Sequence, residues 1–254
     1  MAYIDFKQLV ALEQGICFER SLSWKSSALS HPGKVRAVNE DAFYHSADQG
    51  LWAVADGMGG FARGDYASGV VVDAFAHFSP MKTLAENIRD LEMRLRRAHN
   101  LCRTSFPGEK VGSTVVALLS YGNYAVFLWA GDSRAYRLRG DQLKLMTVDH
   151  TVAQERYARG ELTAHQAVTH PTSHILTRAI GVHQTLHLDL ECEPVESGDR
   201  FLLCSDGVYN DVPRSDIHQL LQQGGAQDIV ASLVAAAMDN GGHDNITAIV
   251  LDAE

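Results

Sequence analysis

Acidic residues recur where apolar runs give out. Leu51-Trp52-Ala53-Val54-Ala55 runs into Asp56-Gly57, Phe127-Leu128-Trp129-Ala130-Gly131 into Asp132, and Phe201-Leu202-Leu203-Cys204-Ser205 into Asp206-Gly207. Near the C-terminus Gly241-Gly242-His243-Asp244-Asn245 leads into Ile246-Thr247-Ala248-Ile249-Val250, and Asn39-Glu40-Asp41 precedes Ala42-Phe43-Tyr44. A single Asp-Gly is a turn dipeptide. The recurrence says more, because a strand that is apolar throughout is buried and an Asp at its tip sits at the edge of the core. Several such tips gathered at one end of a sheet pair would repel one another and raise one another's pKa. Cations relieve that cost.

The candidate ligands are all oxygens, which suit Mg²⁺ or Mn²⁺ and, less specifically, Ca²⁺. EF-hand spacing is absent, and zinc would want His or Cys. His170 and His174 are four apart, but Pro171 disfavours a helical His170 and makes them poor ligands. A carboxylate-held ion pair acidifies a water near neutral pH and clamps attacking and phosphoryl oxygens for in-line displacement. Asp56 is the expected bridging carboxylate, with Gly57 letting a backbone carbonyl come close. Arg36 follows Pro32-Gly33-Lys34 and precedes the Glu40-Asp41 pair. Its planar fork suits two phosphate oxygens.

These residues need a scaffold. Ser23–Ser30, Leu51–Ala55, Ser113–Ser120, Tyr124–Ala130, Ala135–Arg139, Leu186–Cys192, Arg200–Cys204 and Ile246–Asp252 read as strands. Ala62–His77, Leu84–Phe106 and Gln227–Asp239 read as helices. In the second, Ile88, Leu91, Leu95 and Ala98 share one face. Two groups of strands with helices between them predict two sheets covered by helices. The spacing over 113–146 predicts antiparallel pairing. Residues 150–175 are polar and weakly periodic, a surface flap. Phe6, Leu9, Val10 and Leu12 carry a rough helical spacing within a 1–22 extension, ahead of a single domain over 23–254.

At 254 residues, 46% hydrophobic and 21% charged, the chain has the balance of a folded globular protein. Its net charge of −9 disfavours nucleic acid as the main partner. Cys17, Cys102, Cys192 and Cys204 form no C-x-x-C pair and read as reduced thiols. Met1–Val10 lacks a basic segment followed by an apolar one, and no apolar run approaches the ~20 residues of a membrane span. The expectation is a cytoplasmic monomer without membrane insertion.

Seven stretches in order resemble the PPM/PP2C family of metal-dependent protein serine/threonine phosphatases, bacterial type. They are Arg36-Ala37-Val38-Asn39-Glu40-Asp41, Asp56-Gly57-Met58-Gly59-Gly60, Gly112-Ser113-Thr114, Gly131-Asp132-Ser133-Arg134, Leu176-Thr177-Arg178-Ala179-Ile180-Gly181, Leu203-Cys204-Ser205-Asp206-Gly207 and Asp244-Asn245-Ile246-Thr247. The resemblance covers about residues 23 to 252. It implies an α+β fold, a four-layer α-β-β-α sandwich of two antiparallel sheets. It implies hydrolysis of phosphoserine and phosphothreonine on proteins phosphorylated by a Ser/Thr kinase.

By the same resemblance Asp56 bridges two Mn²⁺ or Mg²⁺ ions, with the Gly57 carbonyl, Asp206 and Asp244 completing the site. Glu40 and Asp41 act directly or through metal-bound water, Asp132 and Asp206 hold a possible third ion, and Arg36 binds the substrate phosphate. Met58 stands where eukaryotic members carry a His proposed as general acid, and a thioether donates no proton. His243 is a substitute candidate. A pseudophosphatase is disfavoured because every expected metal position is filled. A two-metal nuclease is disfavoured by the acidic balance.

Overall fold

The computed structural model describes residues 6–13, 22–59 and 63–254. Cys17, Gly60 of the second motif, the expected helix start at Ala62, and the side chains of Phe6 and Leu12 lie outside the described residues.

Two antiparallel sheets stack face to face. One runs β1 (Trp24–His31), β11 (Ile246–Ala253), β10 (Arg200–Cys204), β7 (Arg134–Arg139), β8 (Gln142–Leu145). The other runs β2 (Asp41–Ser46), β3 (Leu51–Gly59), β5 (Val115–Tyr121), β6 (Tyr124–Ala130), β9 (Asp189–Pro194), with β4 (Val111–Ser113) paired to the end of β3. Alternating side chains of the inner faces interlock: Trp52, Val116, Phe127, Phe201, Leu203 and Ile249 form the central layer. Trp24 bridges the sheets, its ring 5.5 Å from Trp52 and 5.7 Å from Phe201.

Helices cover both outer faces. α2 (Gly64–Ala76) and α3 (Leu84–Ser105) lie on the second sheet. The predicted face of α3 is the buried one, with Ile88, Leu91, Leu95 and Ala98 all sealed. Thr83 and Glu86 close its N-terminus as a capping box. α8 (Ala226–Asp239) and α7 (Arg214–Leu221) cover the first sheet. The N-terminal α1 (Phe6–Glu13) packs on α3. Leu9 is buried there, and Glu13 Oε1 accepts from Leu84 N at 3.0 Å and Tyr121 OH at 2.9 Å. The four-layer α-β-β-α architecture is as expected.

Several elements differ from the expectation. β3 does not stop at Ala55 but continues to Gly59, because its end gains a second partner in β4. β9 begins at Asp189 rather than Leu186, at the point where it meets Trp129 of β6. Within 113–146, β5 pairs with β6 and β7 with β8, but β6 and β7 belong to different sheets. The flap contains two short helices, α4 (Val152–Ala158) and α5 (Ala164–Thr169). Both are N-capped by threonine hydroxyls, Thr151 and Thr163. α6 (Asp206–Tyr209) follows β10 directly. Among the described residues, Cys102, Cys192 and Cys204 are free thiols, and no helix is long and apolar enough to cross a membrane.

Candidate active site

The acidic residues come from both sheets and meet at one end of the sandwich. Asp41 and Asp56 are opposed in the β2–β3 ladder. Asp206 opens α6 at the end of β10, and Asp244 precedes β11. Asp132 lies in the turn that carries the chain from β6 in one sheet to β7 in the other. A cleft of about 420 Å³ is lined by Arg36, Glu40, Asp56, Gly57, Asp132, Asp206 and Asp244. Asp41 sits behind it, buried. Of the residues expected to hold metal or phosphate, all but the buried Asp41 line this cleft.

One expectation about position changes. Asp56 is not at a strand tip but inside β3, which is why its backbone is held on both sides. Its N–H donates to Thr114 Oγ1 at 3.0 Å, and its carbonyl accepts from Thr114 N at 2.8 Å and Ser113 Oγ at 3.0 Å. Thr114 Oγ1 in turn shares a 2.7 Å hydrogen bond with Ser133 Oγ. The reason for glycine at 57 also differs. A Cβ there would lie 2.0 Å from the Gly64 carbonyl oxygen and 2.5 Å from that of Glu40. Close passage of two neighbouring backbones already demands it.

Several polar residues hold the rim. Asn245 Oδ1 accepts from Glu40 N at 2.8 Å, while Nδ2 donates to Pro32 O at 2.9 Å and Val38 O at 3.0 Å. It thereby fixes the Arg36 loop against the start of β11. Ser205 Oγ donates to Asp41 Oδ2 at 2.7 Å and accepts from Thr247 N at 3.0 Å. The pattern of acids after apolar runs does not single out Ser113, Thr114, Ser205 or Asn245. The signal was there, because each lies inside a quoted motif.

The carboxylates are electrostatically expensive as they stand. Burial, then the charges of Asp206 and Asp244, pushes Asp41 up to about 7. Burial, with Asp206 and Asp149, pushes Asp132 up to about 8. Burial and Asp244 push Asp206 up to about 6. Burial and then Asp41 hold Asp56 well above the carboxylate range. Asp56 and Asp206 keep some surface open to the cleft but are ringed by protein elsewhere, so they feel a low dielectric despite that opening.

Among the described residues, no three acidic, His or Cys side chains converge as a closed ligand sphere. The carboxylates line the walls instead, some turned onto protein donors. Arg36 Nη2 donates to Asp244 Oδ2 at 2.7 Å, and Glu40 Oε1 accepts from Gly64 N at 2.9 Å at the start of α2. Asp41 Oδ1 is buried without any hydrogen-bond partner. An oxygen-only set with raised pKa values and an orphaned buried oxygen fits hard divalent cations. Buried carboxylates that cannot all ionise together ionise once a cation replaces the lost solvation.

The candidate proton donors fare differently. Met58 lines the cleft, and a thioether has no proton to give. His243 does not line it. Its ring folds over Gly241, and Nδ1 is 2.7 Å from Asp211 Oδ1. His174 of the flap does line the cleft, whereas His170 Nε2 lies 3.1 Å from Arg156 Nη1. They form no ligand pair.

Residues 33–244 match the family described as Protein phosphatase 2C. The serine/threonine protein phosphatase PstP of Mycobacterium tuberculosis is 34% identical over 236 residues, 91% of this chain. The chain spans about half the length of that relative, 45%. The serine/threonine phosphatase stp of Listeria innocua is 31% identical over 232 residues, 87% of this chain and 92% of its own length. PppA, described as a key regulatory component of T6SS in Pseudomonas aeruginosa, superposes with a TM-score of 0.84. It is 38% identical, over 94% of this chain and 99% of that one. The PstP catalytic domain in complex with two manganese ions superposes with a TM-score of 0.82 at 33% identity, over 92% and 99% of the two chains.

Proposed function

The chain belongs to the protein phosphatase 2C family, and on that premise we propose that it is a metal-dependent protein serine/threonine phosphatase. It hydrolyses phosphoserine and phosphothreonine on proteins and so reverses a Ser/Thr kinase in bacterial signalling. It acts as a cytoplasmic monomer, without nucleic acid or membrane insertion. Residues 23–254 form the catalytic unit, with the flap at about 150–175. Residues 1–22 are an extension whose helix α1 docks on α3.

The observation that carries this reading is the gathering of Asp56, Asp132 and Asp206 in one low-dielectric cleft with Asp41 buried behind it, each with a raised pKa. Asp56, the Gly57 carbonyl, Asp206 and Asp244, supported by Glu40 and Asp41, would hold two Mn²⁺ or Mg²⁺ ions. Asp132 and Asp206 would hold a third. When bound, such ions supply Lewis acidity that activates water and neutralises phosphoryl charge.

The chain's own residues do the rest. Arg36 stands at the cleft with its side chain 54% exposed, free to exchange Asp244 for two phosphoryl oxygens. Ser113 and Thr114 lock the backbone that aims Asp56. Ser205 fixes the carboxylate plane of Asp41. Water adds to phosphorus, the bond from phosphorus to the Ser or Thr oxygen breaks, and a proton given up by the attacking water, passed through solvent, ends on that oxygen as the alcohol leaves. Neither Met58 nor the tethered His243 is placed to give that proton.

Release of inorganic phosphate from a phosphothreonine peptide tests this directly. Turnover with Mn²⁺ that stops with EDTA is expected. A folded, Mn²⁺-loaded chain that binds the peptide without releasing phosphate contradicts it.

A further inference from the structure

A second cavity of about 500 Å³ opens beside the carboxylate cleft. Asp132, Asp206 and His174 line both, so the two form one continuous recess. Beyond these shared residues the walls mix polar groups such as Arg134, Asp149, Gln154 and Arg214 with a set of apolar side chains. Leu145 and Ile217 come from the first sheet and α7, Val148 from the segment after β8, and Tyr157, Ala167 and Val168 from the two flap helices. Val148, Tyr157 and Val168 are 53%, 42% and 74% exposed. Single exposed apolar side chains are ordinary, but three around one recess mark a contact surface.

Much of the charge around this recess is already satisfied. Arg134 Nη2 pairs with Asp149 at 2.7 Å, and its guanidinium lies 3.6 Å from the centre of the Tyr209 ring. Tyr209 OH donates to the Asp132 carbonyl at 2.9 Å. The flap that forms one wall is tied down where it begins and ends. Val152 N donates to Ile175 O at 2.9 Å, and Thr177 N donates to His150 O at 2.8 Å. The recess is therefore preformed, as ligand sites usually are.

A substrate that places its phosphoryl group among the carboxylates must lay its neighbouring residues along an adjoining surface. We propose that the flap cavity is a subsite for an apolar side chain flanking the phosphorylated Ser or Thr. It selects phosphoproteins with a Leu, Ile, Val, Met or Phe beside the phosphosite. The proposal rests on the phosphatase reading and deepens it. An acidic flanking residue meets Asp132 and Asp206 at the shared end, while the arginines of the lining are engaged, Arg134 with Asp149 and Arg214 with the Leu143 carbonyl.

The experiment uses phosphothreonine peptides that differ only in carrying Leu, Ser or Asp on either side of the phosphoresidue. With Mn²⁺, kcat/KM is expected to favour Leu over Asp by roughly tenfold or more, on one side only, as a hydrophobic pocket discriminates. Val168→Asp and Tyr157→Ala bring that ratio towards one, while Val168→Leu preserves it. Val168 is mostly exposed, so these exchanges at 168 leave the fold intact. Equal kcat/KM for Leu, Ser and Asp on both sides, or a ratio that Val168→Asp leaves unchanged, overturns the subsite alone. Failure to hydrolyse any of them overturns the phosphatase reading and the subsite with it.

Discussion

Asp41 and Asp56 are Cα partners across the β2–β3 ladder, so two acids from separate motifs are held side by side by backbone hydrogen bonds rather than by any attraction between them. Like-charged residues directly opposed in a ladder are destabilising. The arrangement makes physical sense with a cation between or beside them. Asp56→Asn or Asp206→Ala is therefore expected to lower phosphopeptide turnover by more than the ~10–100-fold typical of residues that only support a metal ligand. Steady-state kinetics with saturating Mn²⁺ checks this, and near-full rate in either variant would remove that residue from the site.

The same crowding sets a pH dependence for the metal-free protein. Asp206, Asp41 and Asp132 have folded-state values raised to about 6, 7 and 8. A carboxylate with a raised folded pKa contributes most to stability below its unfolded value, near 3.8, and that contribution is lost as pH rises through the folded value. In EDTA this contribution declines from pH 6 to pH 8. Adding Mn²⁺ should raise Tm, and raise it more at pH 8 than at pH 6, because protons compete with the cation. Calorimetric scans at both pH values, with and without Mn²⁺, measure it; a metal-induced shift that shrinks with rising pH runs against the account.

Much of this arrangement was legible in the sequence. The apolar runs of β6 and β10 were bounded correctly to the residue, and their terminal Asp132 and Asp206 follow from those boundaries. The buried stripe of α3 followed from its 3.6-residue period. β2 and β8 were not read as strands, because they are short edge strands in which polar residues such as Asp41, His45, Gln142 and Lys144 break up the apolar run. The flap helices were hidden by their brevity, although Thr151-x-x-Gln154 and Thr163-x-x-Gln166 are capping-box spacings. The passage of the chain between sheets at Asp132 leaves no local trace, since a tight hairpin and a sheet-to-sheet turn use the same Gly-Asp-Ser residues.

Thr114 is buried, and its hydroxyl accepts the Asp56 N–H. Thr114→Val leaves that N–H unpaired, at a cost of about 1–3 kcal/mol. It is also expected to lower kcat at saturating Mn²⁺, and Thr114→Ser should restore both. Denaturant unfolding and kinetics on the two variants test it. A loss of stability with unchanged kcat would make Thr114 a packing residue only.

Arg36 is paired with Asp244 yet remains more than half exposed. Arg36→Ala is expected mainly to raise KM for phosphopeptides, with a smaller change in kcat, if its contacts to phosphate form in the ground state. Peptide titrations separate the two parameters. Both unchanged would remove Arg36 from phosphate binding.

The central claim is that this acidic cleft is built to hold divalent cations. Equilibrium dialysis of the metal-stripped chain against Mn²⁺ at neutral pH tests it most directly. The account predicts at least two ions per chain, as in the manganese complex of the PstP catalytic domain, and fewer in Asp56→Asn. A wild-type chain that binds no Mn²⁺, or an Asp56→Asn chain that binds as many ions as tightly, would contradict it.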